Sequence, residues 1–110
     1  SVDLKSDYLD PKVQIALAEE KKGNLEEAIK KLEDILLNQR FVGSPVQVEA
    51  MFQLGRLYFN AKLYDKAIVA FILVISLIPY HSNAHYGLGL SYLKKNLKEK
   101  ALEEFQIVSN

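Results

Sequence analysis

The sequence predicts an all-α fold of about six helices, arranged as three antiparallel helix-turn-helix hairpins. The main observation is an internal repeat, because Leu54-Gly55-x-x-Tyr58 returns 34 residues later as Leu88-Gly89-x-x-Tyr92. A fixed period of this length, with small and aromatic residues at matching offsets, is typical of stacked helical hairpins. Three further pairs keep the same spacing: Ala67 and Ala101, Phe71 and Phe105, and Val74 and Val108.

The first hairpin is expected to begin at Asp10-Pro11, where an N-cap residue precedes a proline at the first helical position. Its first helix should end at Lys21-Lys22-Gly23, because glycine commonly follows the last helical residue. Asn24 is then expected to cap the second helix, with Glu27 three residues on completing a capping box.

An insertion separates the first two hairpins. Ala28 and Ala67 occupy the same repeat position but lie 39 residues apart instead of 34, so five extra residues fall at about 37–44. Ser44-Pro45-Val46-Gln47 predicts a second capping box with proline at its first helical position. The second helix of this hairpin is expected from about Tyr64 to Leu77.

The third hairpin should start near Ser82-Asn83. The turns inside hairpins two and three are predicted at Asn60-Ala61-Lys62 and at Lys95-Asn96. Glycine is a poor residue for the middle of a helix. We therefore expect Gly55 and Gly89 to mark the places where the two helices of a hairpin approach each other closely.

These motifs resemble the tetratricopeptide repeat, whose pattern puts Leu-Gly-x-x-Tyr in the first helix, Ala and Phe in the second, and Pro near the end, here Pro79. The resemblance covers about residues 9–110. It implies a right-handed superhelical array of the three hairpins, and it implies a protein–protein interaction scaffold with no enzyme activity.

The resemblance also implies one domain over residues 1–110. Its repeats would cover about 9–42 with an insertion reaching 47, then 48–81, then 82–110. The chain begins without an initiator Met, so we expect it to be a fragment or a processed form of a longer chain. The sequence does not fix a compartment: the cytoplasm is the default, and an envelope or periplasmic space is the alternative.

Composition excludes several classes of function. Fourteen basic and fourteen acidic residues cancel, which argues against nucleic acid as a partner. The chain has no cysteine, so a disulfide framework and a thiolate zinc site are excluded. His81 and His85 are four residues apart but have no further ligand nearby in the sequence, so we expect no metal site, no cofactor and no catalytic residues.

The resemblance implies a concave groove lined by the first helix of each hairpin, where a peptide or a helix of another protein would bind. Aromatic and amide side chains at such positions suit that purpose. The alternative is that the aromatic residues only cover the joints between hairpins. The predicted groove residues are Glu49, Phe52, Gln53, Arg56 and Phe59 in hairpin two and Asn83, Tyr86 and Leu90 in hairpin three. The family's remaining peptide-facing positions fall on Gly87 and Leu93, and in hairpin one on Asp10, Val13, Gln14, Leu17 and Glu20.

A second surface stands out because residues 67–78 are apolar on every side, and a helix of this kind is normally buried. The segment is too short to cross a membrane, so we expect no membrane insertion by it. Val69, Ile72 and Leu73 are predicted to face outward as an interface, with Ala70 and Ser76 beside them. The expected core positions are Ala67, Ile68, Phe71, Val74, Ile75 and Leu77.

Three functions remain open at this stage. The first is the partner-binding groove. The second is an assembly module that forms a homo-oligomer, or binds another protein, through Val69, Ile72 and Leu73, unless Phe41 and Val42 of the insertion cover that surface. The third is a secretion-type chaperone for an exported protein. The basic residues of the family's carboxylate clamp are absent from the matching positions, which excludes a cochaperone that binds chaperone tails.

Overall fold

The computed structural model describes residues 10–109 of the chain, and these residues form six α-helices. No strand occurs in this part of the chain, so the predicted all-α fold is confirmed. A short 3-10 helix, Gln39–Phe41, occupies the insertion. The α-helices are α1 Pro11–Lys21, α2 Leu25–Leu37, α3 Pro45–Asn60, α4 Tyr64–Leu77, α5 Ser82–Lys94 and α6 Lys98–Ser109.

The chain divides into two compact units, with the boundary between Ala50 and Met51 inside α3. In the first unit α1 packs against α2, and alanine at the interface lets the two helices approach. In the second unit α5 packs against both α4 and α6. The buried apolar residues of the first unit are Val13, Ala16, Ala28, Leu32, Ile35 and Ala50.

The turn inside each hairpin repeats the same backbone geometry. Gly23, Lys62 and Asn96 all have a positive φ, of 90°, 65° and 66°. In each turn the next N–H bonds back to a carbonyl five residues earlier, as when the Leu63 N–H donates to the Tyr58 carbonyl at 2.9 Å. This is the hydrogen bond of a Schellman motif, which satisfies carbonyl groups at the end of a helix. The 34-residue repeat is therefore a repeat of backbone conformation as well.

The two predicted capping boxes did not form as expected. Asn24 makes no side-chain cap, because its amide turns back and donates to Glu19 Oε1 at 3.0 Å. That hydrogen bond lowers the pKa of Glu19. At α3 the Gln47 N–H does reach Ser44 Oγ, at 3.4 Å, but Gln47 Oε1 accepts from the Gly43 N–H at 2.9 Å. The second box is thus displaced by one residue.

The core of α4 differs from the prediction at two positions. Ala70 was expected to face water but is buried, and Leu77 was expected in the core but is 52% exposed. The predicted core residues Ala67, Phe71 and Val74 are buried. Ala70 is buried because α4 contacts helices on two sides, so that more of its surface is covered than a single hairpin would cover. Leu77 is exposed because it is the last residue of the helix.

Candidate partner-binding face

The ring of Phe71 on α4 lies between two glycines on neighbouring helices. A Cβ atom placed on Gly55 would lie 2.9 Å from Phe71 Cε1, and one placed on Gly87 would lie 2.6 Å from Phe71 Cζ. Gly55 belongs to the same hairpin as Phe71, and Gly87 belongs to the next one. The missing Cβ atoms let α3 and α5 approach the same ring, which fixes these two helices beside each other.

The expectation for Gly55 and Gly89 is confirmed, because a Cβ on Gly89 would lie 2.5 Å from Phe105 Cε1 in the third hairpin. Gly87, which the family pattern assigns to a peptide-facing position, is half-buried. It forms the joint between hairpins two and three through its contact with Phe71. The sequence carried a signal for this role, since glycine inside a helix costs stability unless close packing requires it.

Two of the three predicted groove aromatics pack inside the second unit. The Phe52 ring lies 5.9 Å from the Phe71 ring and 5.0 Å from the His81 ring. Phe59 meets the Tyr64 ring edge-on at 5.3 Å, near the hairpin turn. These distances are typical of stabilising aromatic pairs. Phe52 and Phe59 are only half-buried, so each also presents part of its ring to the surface.

Tyr86 is the exposed aromatic residue of the predicted groove. Its side chain is 51% exposed, and its ring lies 5.7 Å from that of Phe105. Asn83 is three residues before Tyr86 and Leu90 is four residues after it, so helical spacing places all three on one side of α5. Asn83 is exposed and Leu90 is half-buried.

The polar residues predicted for the groove lie one turn apart on α3. Arg56 Nε donates to Gln53 Oε1 at 2.9 Å, and both side chains are half-buried. This hydrogen bond orients the guanidinium and amide groups together. Glu49 is also half-buried, and it lies in the first unit.

The first hairpin departs from the predicted peptide-facing pattern. Val13 is buried in the core of the first unit, so its assignment to a groove was wrong. Leu17 is half-buried and Gln14 is exposed. Phe41 of the insertion lines a cavity of about 290 Å³ within the first unit, together with Ile15 and Ile35.

The predicted outward residues of α4 are exposed. The solvent-exposed fractions of Val69, Ile72 and Leu73 are 57%, 44% and 45%. About half of each residue is therefore not covered by other described residues of the chain. No charged residue occurs between Lys66 and His81. Leu102 on α6 is also exposed.

The sequence did not predict the polar cluster around His85. His85 is buried, its Nδ1 lies 2.6 Å from Glu104 Oε1, and its Nε2 lies 2.7 Å from the Pro79 carbonyl oxygen. Burial lowers the pKa of His85, but the hydrogen bonds with Glu104 and with the Pro79 carbonyl outweigh it, so the pKa is raised overall. The Glu104 side chain is largely covered, at 18% exposure.

His81 also has a defined structural role. Its Nδ1 accepts a hydrogen bond from the Ala84 N–H at 3.0 Å, so it caps α5. Among the described residues no group of three or more His, Cys, Asp or Glu side chains could hold a metal ion. His85 and Glu104 are 19 residues apart, and no local spacing rule connects residues at that separation.

Lysine contacts also follow the repeat. Lys66 Nζ lies 5.6 Å from the centre of the Tyr58 ring, and Lys100 Nζ lies 5.7 Å from that of Tyr92. Each pair has the geometry of a cation–π interaction. The equal spacing of the lysines and tyrosines was a signal that sequence reasoning had missed.

Helical hairpins joined through glycine contacts, with aromatic and amide side chains on the outside, define a helical-repeat scaffold for protein–protein interaction. The family model of the tetratricopeptide repeat matches residues 13–80. The chain belongs to the tetratricopeptide repeat family. Members of this family are typically non-catalytic scaffolds. In the part of the chain that the structure describes, no helix has the length and apolar character needed to cross a membrane.

Two crystal structures of MamA are similar to this chain. The TM-scores are 0.78 and 0.77, and each has 26% sequence identity over 88% of this chain. The match covers 54% of one MamA chain and 50% of the other, so the present chain spans about half of their length. No curated protein sequence matches the chain.

Proposed function

We propose that the second unit binds an extended peptide or a helix of a partner protein on the side of α3 and α5 that carries the predicted groove residues. The observation that carries this proposal is the half-exposed Tyr86 ring on a helix fixed to its neighbour through Phe71. An aromatic side chain on a rigid element offers a large contact area at low entropic cost. The proposed contact residues are Gln53, Arg56, Asn83, Tyr86 and Leu90, with partial contributions from Phe52 and Phe59.

The polar side chains suit recognition of a peptide backbone or of an acidic side chain. The Gln53–Arg56 hydrogen bond holds an amide and a guanidinium on α3, and Asn83 presents an exposed amide on α5. An amide can pair with backbone N–H and C=O groups, and a guanidinium can pair with a carboxylate. Tyr86 would anchor the ligand, and these groups would set its register.

Affinity capture with matched variants tests the proposal. Immobilised wild-type protein is compared with Tyr86→Ala and with Ile72→Lys, which changes an exposed residue on α4. A captured protein should then be purified and titrated by calorimetry. We expect binding to weaken at least tenfold with Tyr86→Ala and to stay unchanged with Ile72→Lys. Equal binding of the wild type and Tyr86→Ala would refute the proposed face.

A second candidate function is assembly through the apolar surface of α4. The specific observation in its favour is the half-exposed set Val69, Ile72 and Leu73 on a segment without charge. Exposed apolar patches of this kind often mark interaction sites. Light scattering over a wide concentration range tests it: association that is lost with Ile72→Lys supports assembly, and a constant monomer mass contradicts self-association.

A further inference from the structure

His85 links three segments of the chain: α5, α6 and the segment before α5. The histidine lies on α5, Nδ1 faces Glu104 on α6 at 2.6 Å, and Nε2 faces the carbonyl of Pro79 in the segment before α5 at 2.7 Å. The His85 side chain is 7% exposed and the Glu104 side chain is 18% exposed. Water therefore has little access to replace the hydrogen bond between His85 and Glu104.

The two short contacts of the ring each need one proton, one between Nε2 and the Pro79 carbonyl oxygen and one between Nδ1 and Glu104 Oε1. The Pro79 carbonyl oxygen can only accept, so Nε2 must donate to it. Glu104 Oε1 and His85 Nδ1 must share one further proton, since two lone pairs at 2.6 Å would repel each other. With that proton on the ring the pair is an imidazolium and a carboxylate, the combination that forms short charge-assisted hydrogen bonds.

No other ionisable side chain of the described residues is hydrogen-bonded to His85. The charged residues closest to Glu104 along α6 are Glu103 and Lys100. The Lys100 ammonium group lies over the Tyr92 ring. Burial raises the pKa of Tyr92, and the charges of Glu104 and Glu103 raise it further. On the other side of α5, residues 67–80 of α4 and the segment after it have no charged side chain.

We propose that the His85–Glu104 pair is a proton-operated lock on the third hairpin, which holds α6 and the Pro79 segment to α5 while the shared proton is present. When the proton leaves, the neutral ring has a single N–H and can donate to only one of its two acceptors, Glu104 Oε1 or the Pro79 carbonyl oxygen. The other acceptor then faces a ring lone pair, and one hydrogen bond of the cluster is lost, which is unfavourable at a buried histidine. The third hairpin therefore loosens as the pH rises.

The direction of the pH dependence follows from linkage between protonation and folding. His85 has a raised pKa in the folded chain, above the value of about 6.5 that an unfolded histidine has. The stabilisation is therefore fully present below about pH 6.5 and is lost as the pH rises through the pKa of the folded state. An ordinary exposed histidine would give no such loss.

Two measurements on the purified chain test the lock. The first is urea unfolding followed by circular dichroism, from about pH 5.5 to about pH 9. The second is a nuclear magnetic resonance titration of the two histidine rings. We expect the urea midpoint to fall across this range, and we expect His85 to titrate above the ordinary histidine value.

Three variants separate the lock from other effects of pH. Glu104→Gln keeps an acceptor at nearly the same size but removes the charge, so the fall in stability should move to lower pH. His85→Gln should remove the fall, and His81→Gln should retain it. A flat midpoint in the wild type, or a His85 ring that titrates at or below the ordinary value, would overturn the proposal. If His85→Gln does not fold, the wild-type titration and Glu104→Gln still decide.

The lock would also act on partner binding, an extension that rests on the proposed function. Asn83, Tyr86 and Leu90 lie on the same helix as His85. Binding at that face should therefore weaken over the pH range in which the urea midpoint falls. Because the unfolding experiment needs no partner, a failure of the binding proposal would leave the result for the lock unchanged.

Discussion

Gly87 on α5 lies against the ring of Phe71 on α4, so closely that a Cβ atom at Gly87 would come within 2.6 Å of Phe71 Cζ. The ring has no room to retreat, because Gly55 is in contact with it from α3. This contact joins two successive hairpins, whereas the contact between Gly89 and Phe105 joins the two helices of one hairpin.

The first prediction is that Gly87→Ala destabilises the second unit. Replacing glycine by alanine inside a helix normally stabilises by about 0.5–1 kcal/mol, but overpacking a buried site costs about 1–3 kcal/mol. We expect a net loss of about 1 kcal/mol in the free energy of unfolding, measured with urea.

Phe71→Leu provides the matched control for that prediction. The smaller side chain leaves room for the new methyl group, so the double variant should be more stable than the sum of the single changes predicts. Strict additivity of Gly87→Ala and Phe71→Leu would show that the two residues do not contact each other as described.

The second prediction separates the two roles of the groove aromatics. Phe52 packs on Phe71 and His81, so Phe52→Ala should cost about 2 kcal/mol of unfolding free energy, less than for a fully buried phenylalanine. Tyr86 is half-exposed, so Tyr86→Ala should cost less than about 1 kcal/mol. The comparison uses thermal and urea unfolding of both variants. An equal cost would mean that Tyr86 is as much a structural residue as Phe52.

The third prediction concerns which side of α4 is buried. Val74 is fully buried, so Val74→Ala should cost about 2 kcal/mol, given about 0.8 kcal/mol for each buried methylene group and the cavity that remains. Leu77→Ala should cost under about 0.5 kcal/mol, since the residue is at the exposed end of the helix. A large loss with Leu77→Ala would place that side chain in the core after all.

The fourth prediction is that Ile72→Lys leaves the fold of the monomer intact. Ile72 is half-exposed, so a lysine can keep its charge in water while its stem covers the same surface. We expect a change of under about 0.5 kcal/mol in unfolding free energy, measured under dilute conditions. Ala70→Lys is the contrasting variant. Ala70 is buried one turn before Val74, so a lysine there should disrupt the packing of α4 against the neighbouring helices.

Much of the fold could be predicted from local patterns. Proline after Asp10 and the 34-residue repeat gave helix positions that the structure confirms. Local rules were less reliable for caps, because the Asn24 amide group donates to Glu19 while its oxygen accepts no capping hydrogen bond. The groove positions came from the family pattern, and that pattern does not show that Val13 is buried or that Gly87 packs on Phe71.

The sequence by itself determined the class of this protein. Its helices and their hairpin turns are set by interactions within a few residues of each other, and the repeat shows that those interactions recur. Only the tertiary structure decided which groove residues serve the packing, as Phe52 does, and which remain exposed, as Tyr86 does. Only the tertiary structure brought Glu104 to His85 as well. These outcomes depend on the distances between different helices, and residue spacing along one helix carries no information about them.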